Sequence, residues 1–206
     1  MAGHMDMDEL TDKTGLEYRS IDSEEFREFV RLHATSEEIG RIATYLDETA
    51  SPEEGGPDVK LLGLVGCRVP CAVVCCLVSL SVDGKTAAVK LDSVVVDRQL
   101  RRQGLGAALV ARSFMDLVST YQPPINNLYA HSVHPATVNM LRSFGFSDPP
   151  LTGAPISAIN LSEDGDKFRQ RCNDRFQMVS NRLKLNCSYC RSNNRKARRW
   201  CNIGKE

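Results

Sequence analysis

The sequence has no net charge, no uninterrupted apolar run long enough to span a bilayer, no internal repeat and no secretory leader. Each absence excludes something. Lys and Arg total 26 against 26 Asp and Glu, which argues against a protein that works chiefly by binding polyanions. The one stretch resembling a membrane span, the 20 residues Leu61–Leu80, carries Arg68 and Pro70 at its middle, where a bilayer helix accepts them least. Two buried strands joined by a turn explain it better, and no membrane partner is expected. The N-terminus shows no charged–apolar–cleavage pattern, and Met1–Met5 (MAGHM) reads as a cloning remnant, so His4 is left out of the chemistry. The expected compartment is intracellular and reducing, cytoplasm or nucleus.

What is present is ordinary globular composition, 42% hydrophobic and 25% charged over 206 residues, enough for one domain with a filled core. The charges are not spread evenly. Residues 1–58 carry a net −11, residues 59–161 a net +4 and residues 162–206 a net +7. An acidic front and a basic end suggest internal charge pairing or an acidic partner for the tail. Of the eight cysteines, four sit at 67, 71, 75 and 76 in apolar sequence. Cys75 and Cys76, adjacent on a strand, would face opposite sides of a sheet, which suits buried thiols better than a disulfide framework.

Leu16–Ile21 alternates like a strand. Asp22 and Ser23 offer caps for a helix with Phe26, Phe29, Val30 and His33 on one side. Thr35-Ser36-Glu37-Glu38 starts a second helix, with Ile39, Ile42, Ala43 and Leu46 at helical spacing, and residues 50–58 form a loop. Strands are predicted over about 59–67, 71–82 and 86–96, the last two joined by Asp83-Gly84. A polar connector, 97–103, leads to a helix over about 104–121 that turns Leu105, Leu109, Phe114, Leu117 and Val118 inward and stops before Pro123-Pro124. A strand over 128–133, a short helix from His134-Pro135 to Gly145, further strand or loop from Phe146, and a helix over 162–183 complete the pattern. The order β-α-α-β-β-β-α-β-α describes an α/β domain with a mixed sheet.

The densest chemical signal is Leu91–Leu109, a buried strand running into a two-glycine loop that opens a helix. Gly104 and Gly106 lack a Cβ, so backbone N–H groups there can approach a phosphate closely, and Arg101 and Arg102 place charge beside the same site. A P-loop is excluded, because the only Gly-Lys-Thr, at 84–86, lies in a hairpin turn with Ser79 where its first glycine belongs. A dinucleotide-binding fingerprint is excluded because Leu109 stands where a third Gly or Ala is needed.

Arg101-Arg102-Gln103-Gly104-Leu105-Gly106, preceded by Val94-Val95-Val96-Asp97, instead resembles the acyl-CoA loop of the GNAT superfamily of N-acetyltransferases. Leu128–Phe146, a strand, a short helix and a terminal Gly-Phe, is similar to the second half of that family. The resemblance implies an α/β fold with a mixed, mostly antiparallel twisted sheet flanked by helices over residues 14–160. A flexible leader (1–13) would precede it, and a C-terminal helix with a basic, Cys-rich extension (161–206) would follow. It implies acetyl-CoA as cosubstrate and direct transfer to a primary amine.

Backbone N–H groups of Arg102, Gln103, Gly104, Leu105, Gly106 and Ala107 would hold the pyrophosphate, with Arg101 adding charge beside it. The Val94–Val96 strand would hold the pantetheine arm and polarise the thioester carbonyl. Asp92 stands where similar enzymes keep a general base, though a strand-end Asp can equally pair with a neighbouring Lys or Arg. His134 occupies the position of a frequent cofactor-facing Asn; it would move a proton, or cap the helix and hydrogen-bond the pantetheine. Leu141 replaces the Tyr that often protonates the leaving thiolate.

The acceptor expected is a protein lysine. Alternatives are a small amine such as a polyamine, amino sugar or amino acid, whose charge the acidic segment 37–58 would suit, or no acceptor at all in a docking module. Cys172, Cys187, Cys190 and Cys201 could build a zinc site, but the x14 and x10 spacings match no common finger and no His follows 134. They read as free thiols, and no metal is assigned. The Arg195–Trp200 stretch could touch nucleic acid, but reads as a solvated tail pairing with the acidic N-terminal part.

Overall fold

The computed structural model describes residues 16–35, 56–66, 69–131, 135–147 and 156–192. The helix expected from Thr35 onward, His134 and Cys201 lie outside the described residues. Alternating apolar residues build β1 (Leu16–Ser20), β2 (Asp58–Gly66), β3 (Val69–Leu80) and β4 (Ala87–Val96), the strands the hydrophobic pattern predicts to within about three residues. Between β1 and β2 stands α1 (Ser23–His33), whose first turn is closed by Asp22 Oδ1 accepting the Glu25 N–H at 2.7 Å. The β3–β4 hairpin is held by Ser81, whose Oγ accepts the Thr86 N–H, and by Gly84 at φ +66°.

After β4 come α2 (Leu105–Thr120), β5 (Ile125–His131), α3 (Pro135–Phe144), β6 (Ile156–Asn160) and α4 (Leu161–Ser192). The six strands form one sheet in chain order, every pairing antiparallel except β4–β5. Several boundaries depart from the sequence reading; α4, expected over 162–183, runs on to Ser192. β5 begins at Ile125 rather than 128, because the Ala87 N–H donates to Pro124 O and the parallel ladder starts there, overriding the weak strand propensity of Asn126 and Asn127. The chain after Phe146, left open as strand or loop, supplies β6 antiparallel to β5.

The sheet separates two cores, and Cys75 and Cys76 divide between them as their adjacency requires. On one face α1 buries Phe26, Phe29 and Val30 against Val73, Cys75, Leu77 and Val95. On the other, α2, α3 and α4 cover Leu64, Val74, Cys76, Val89 and Leu91. α4 sends Phe168 and Cys172 into that core, and α2 is buried around most of its circumference because Phe176 and Val179 of α4 cover Ala108. The five inward residues predicted for α2 all join the core, Val118 at its edge.

Phe114 is fully buried, its ring 5.8 Å from that of Phe146 and 6.1 Å from that of Phe168. Truncation would leave a void at the junction of three elements. Phe114→Ala is expected to lower unfolding free energy by about 3–5 kcal/mol, measured by denaturant titration.

Candidate functional site

The site is built where two parallel strands part. β4 and β5 pair from Ala87↔Ile125 to Leu91↔Ala130 and no further, whereas β4 stays paired with β3 through Val96↔Ala72. Asp92 is the point of departure. On the β3 side Cys76 pairs with Leu91 and Cys75 with Ser93, so Asp92 is the extra residue of a β-bulge. A bulge bends its strand, and this one turns β4 away from β5. The last residues of β4 therefore line the wall of a cleft at the carboxyl ends of parallel strands, the usual place for a ligand in such sheets.

The bulge also changes which side chains face where. Leu91, Val94 and Val96 pack toward the α2 core, and Val95, 3% exposed, packs toward α1. Asp92 is largely covered and takes the Lys90 ammonium at 3.4 Å, the strand-end pairing that its position alone allowed. Ser93 Oγ is buried and has no hydrogen-bond partner among the described residues. Cys75, paired with Ser93, is a poor nucleophile: burial first, then the Asp92 charge, push its thiol up to about 12.

Beyond Val96 the loop carries the other half of the site. Arg102 holds φ +67°, rare for a residue with a side chain, and Gly104 holds φ +88° as the N-cap of α2. No side chain caps this helix, and its first turn contains no acidic residue. Ala108 N–H to Gly104 O, at 3.0 Å, is the first helical bond, so the N–H groups of Leu105, Gly106 and Ala107 have no partner within the helix. They face outward at the positive end of a 16-residue dipole, a ready anion cradle. Gly106 lets α2 come down on β4: a Cβ there would lie 3.1 Å from Val96 Cγ2 and 3.7 Å from Val94 Cγ2. Cradle and cleft thus adjoin.

The other predicted site residues distribute as follows. Leu105 and Ala107 bury their side chains, leaving only backbone to a ligand, and Gln103 is half-buried beside them. Arg102 is exposed at the loop. Arg101, expected to add charge at the anion site, turns the other way. Its Nε donates to Val96 O at 3.2 Å and its Nη2 to His33 O at 2.6 Å, at the C-terminus of α1. Leu141, at the position of the missing tyrosine, is 1% exposed in the core. Cys172 is also a core thiol, pushed up by burial to about 12; among the described residues no three His, Cys, Asp or Glu side chains gather as a metal site. Sequence reasoning missed Asp97, which it left in a polar connector. It is 1% exposed and accepts the Gln99 N–H at 2.8 Å. A carboxylate directly after three strand valines was the available signal.

No protein-family model matches the chain, and no curated protein matches it by sequence. Solved structures do match. A crystal structure of AtaTR bound with acetyl-CoA superposes with a TM-score of 0.56 at 16% identity, covering 74% of this chain and 98% of the other. AtaT complexed with acetyl-methionyl-tRNAfMet gives 0.55 at 15%, covering 74% and 99%. A protein from Desulfovibrio desulfuricans assigned to the GNAT acetyltransferase family gives 0.51 at 18%, covering 71% and 99%. The chain therefore has the fold of the GNAT N-acetyltransferases.

Proposed function

We propose that the chain is an acetyl-CoA-dependent N-acetyltransferase. The observation that carries this is the parting of β4 from β5 directly beneath an uncapped helix N-terminus. An extended arm ending in phosphates fits that shape: a cleft walled on one side by β4 backbone that has left β5, then a cradle of N–H groups. The residues fit such a donor. Backbone groups of Val94 and Val96 would pair with the pantetheine arm and orient the thioester, while Val95 anchors the strand from the α1 side. N–H groups from Arg102 to Ala107, with the Arg102 guanidinium, would meet the phosphates. Bound acetyl-CoA supplies an acyl group already activated as a thioester.

The protein's part is to position an amine and remove its proton. Asp92, at the bulge where the cleft opens, is the residue placed for that, directly or through a water. The raised pKa of Cys75 keeps it protonated and favours direct transfer over passage through a thiol. With Leu141 buried, no side chain at that position protonates the departing thiolate. His134 remains the candidate for holding the pantetheine or moving a proton. A protein lysine is the preferred acceptor, because a basic C-terminal segment could seat an acidic or nucleic-acid-bound target. The acidic stretch 37–58 favours a polyamine as second reading.

The test is transfer from labelled acetyl-CoA to histones, polyamines, amino sugars and aminoacyl-tRNA, with products resolved by mass spectrometry. Label on protein lysine is the expected result, and label on a small amine alone would replace the acceptor. Absence of acetyl-CoA binding by thermal shift would overturn the assignment.

A further inference from the structure

The loop between β4 and α2 is fastened to α1 by a set of contacts that leaves its shape little freedom. Asp97 is at the centre. Its N–H donates to Cys71 O at 3.0 Å, which ties it to β3. Its C=O accepts the Leu100 N–H at 2.9 Å and its Oδ1 the Gln99 N–H at 2.8 Å, which together fold the first turn of the loop. The same Oδ1 lies 3.5 Å from Nδ1 of His33, the last residue of α1, whose ring rests on Phe29 with centroids 4.5 Å apart. The Arg98 N–H donates to that Nδ1 at 3.3 Å.

Both nearby guanidinium groups then go to the end of α1. Arg98 Nε and Nη2 donate to His33 O at 3.2 Å and Ala34 O at 2.8 Å, and Arg101 Nη2 donates to His33 O at 2.6 Å. These carbonyls are the unsatisfied negative end of α1, where cations are held well. Two of the three arginines in the loop therefore serve as fasteners, and neither is turned toward the anion cradle.

We propose that Asp97 and His33 are positioning residues for donor binding. Resting on the acetyltransferase reading above, the inference is that this buried carboxylate and the α1 latch hold Arg102 and Gly104 at their positive φ values. The N–H groups from 102 to 107 then point at one phosphate group, and Arg102 is the only arginine of the loop left to join them. Neither Asp97 nor His33 touches the donor. Their loss acts on phosphate recognition and spares the cleft that takes the pantetheine arm, because the β3 ladder holds Val94 and Val96 whether or not Arg101 keeps its bond to Val96 O.

The experiment compares two probes on the full chain: CoA, by calorimetry, and pantetheine, which lacks the phosphates, by competition. For Asp97→Ala, CoA affinity is expected to fall by roughly tenfold or more, as when a buried hydrogen-bond acceptor is removed, with pantetheine affinity unchanged. Asp97→Asn keeps an Oδ1 for Gln99 and should recover most of the loss. If the alanine variant does not fold, His33→Ala serves in its place, since its ring is partly exposed, and should show the same selective loss.

Equal loss for both probes would make the role merely structural and overturn the proposal, as would unchanged CoA affinity in both variants. Failure of the unaltered chain to bind CoA would be a different result and would remove the acetyltransferase reading beneath it.

Discussion

Gly104→Val is expected to abolish saturable acetyl-CoA binding and to lower unfolding free energy by about 2–4 kcal/mol. Two costs combine at this position. The residue sits at φ +88°, a region that L-residues enter at a cost of about 1–2 kcal/mol and β-branched ones at more. A Cβ would also stand 2.8 Å from Val179 Cγ2, closer than real Cβ atoms approach, and the rest of the valine side chain would meet α4 directly. Val179 cannot swing clear, because it is 1% exposed and packed with Phe176 against Ala108.

The chain must then move the loop to negative φ or lift α4 from α2. The first turns the N–H groups of the cradle out of line, and the second unpacks the helix that carries them. Gly84→Val is the internal comparison. Gly84 sits at φ +66° with nothing within 4 Å of a built Cβ, so it bears the backbone cost alone, far from the cleft. Its variant should lose stability by about 1–2 kcal/mol and keep the full acetyl-CoA-induced rise in melting temperature. If Gly104→Val retained that rise, the loop would not be the phosphate site.

What the sequence discloses about this molecule follows from how local each feature is. Strands β2 to β4 and the two-glycine loop were legible because alternation, an Asp-Gly turn and glycine's conformational range act within a few residues. The two-sided burial of Cys75 and Cys76 was legible for the same reason, since a strand's period is two.

What was not legible depends on contacts between distant segments. Arg101 is a cation next to an anion cradle in sequence, yet it is 68 positions from the carbonyl that captures its guanidinium. Asp97 reads as a polar connector residue because the preceding valines mark only a strand end, and the partners that bury it, on β3 and α1, are distant in sequence. The early start of β5 needed a partner strand to be seen, and so did β6. The bulge at Asp92 exists only as a mismatch between β3 and β4, so the point where the cleft opens could not be read from β4 alone.

If Asp92, set at the bulge, is the proposed base, Asp92→Asn is expected to lower the turnover number by about 10²–10⁴-fold while leaving the acetyl-CoA dissociation constant unchanged. A lysine amine near its ordinary pKa of about 10.4 is deprotonated in only about one molecule in a few thousand at neutral pH. An enzyme that uses it at pH 7 needs a base at the cleft. Among the described residues, Asp92 is the carboxylate at the point where β4 leaves β5, and the bulge sets it beside that opening. Asparagine preserves size and hydrogen bonding but cannot accept the proton.

The competing account is that Asp92 only holds Lys90, 3.4 Å away on the same strand. Lys90→Met separates the two. If the pair is structural, both variants should lose a similar amount of stability and activity. If Asp92 is the base, Lys90→Met frees it and keeps turnover within a few-fold, while Asp92→Asn loses turnover without losing donor affinity. The base account also requires the deficit of Asp92→Asn to narrow as pH rises toward the amine's own pKa, because solvent then does the deprotonation. A deficit that stays constant from neutral to alkaline pH would remove Asp92 from the proton's path.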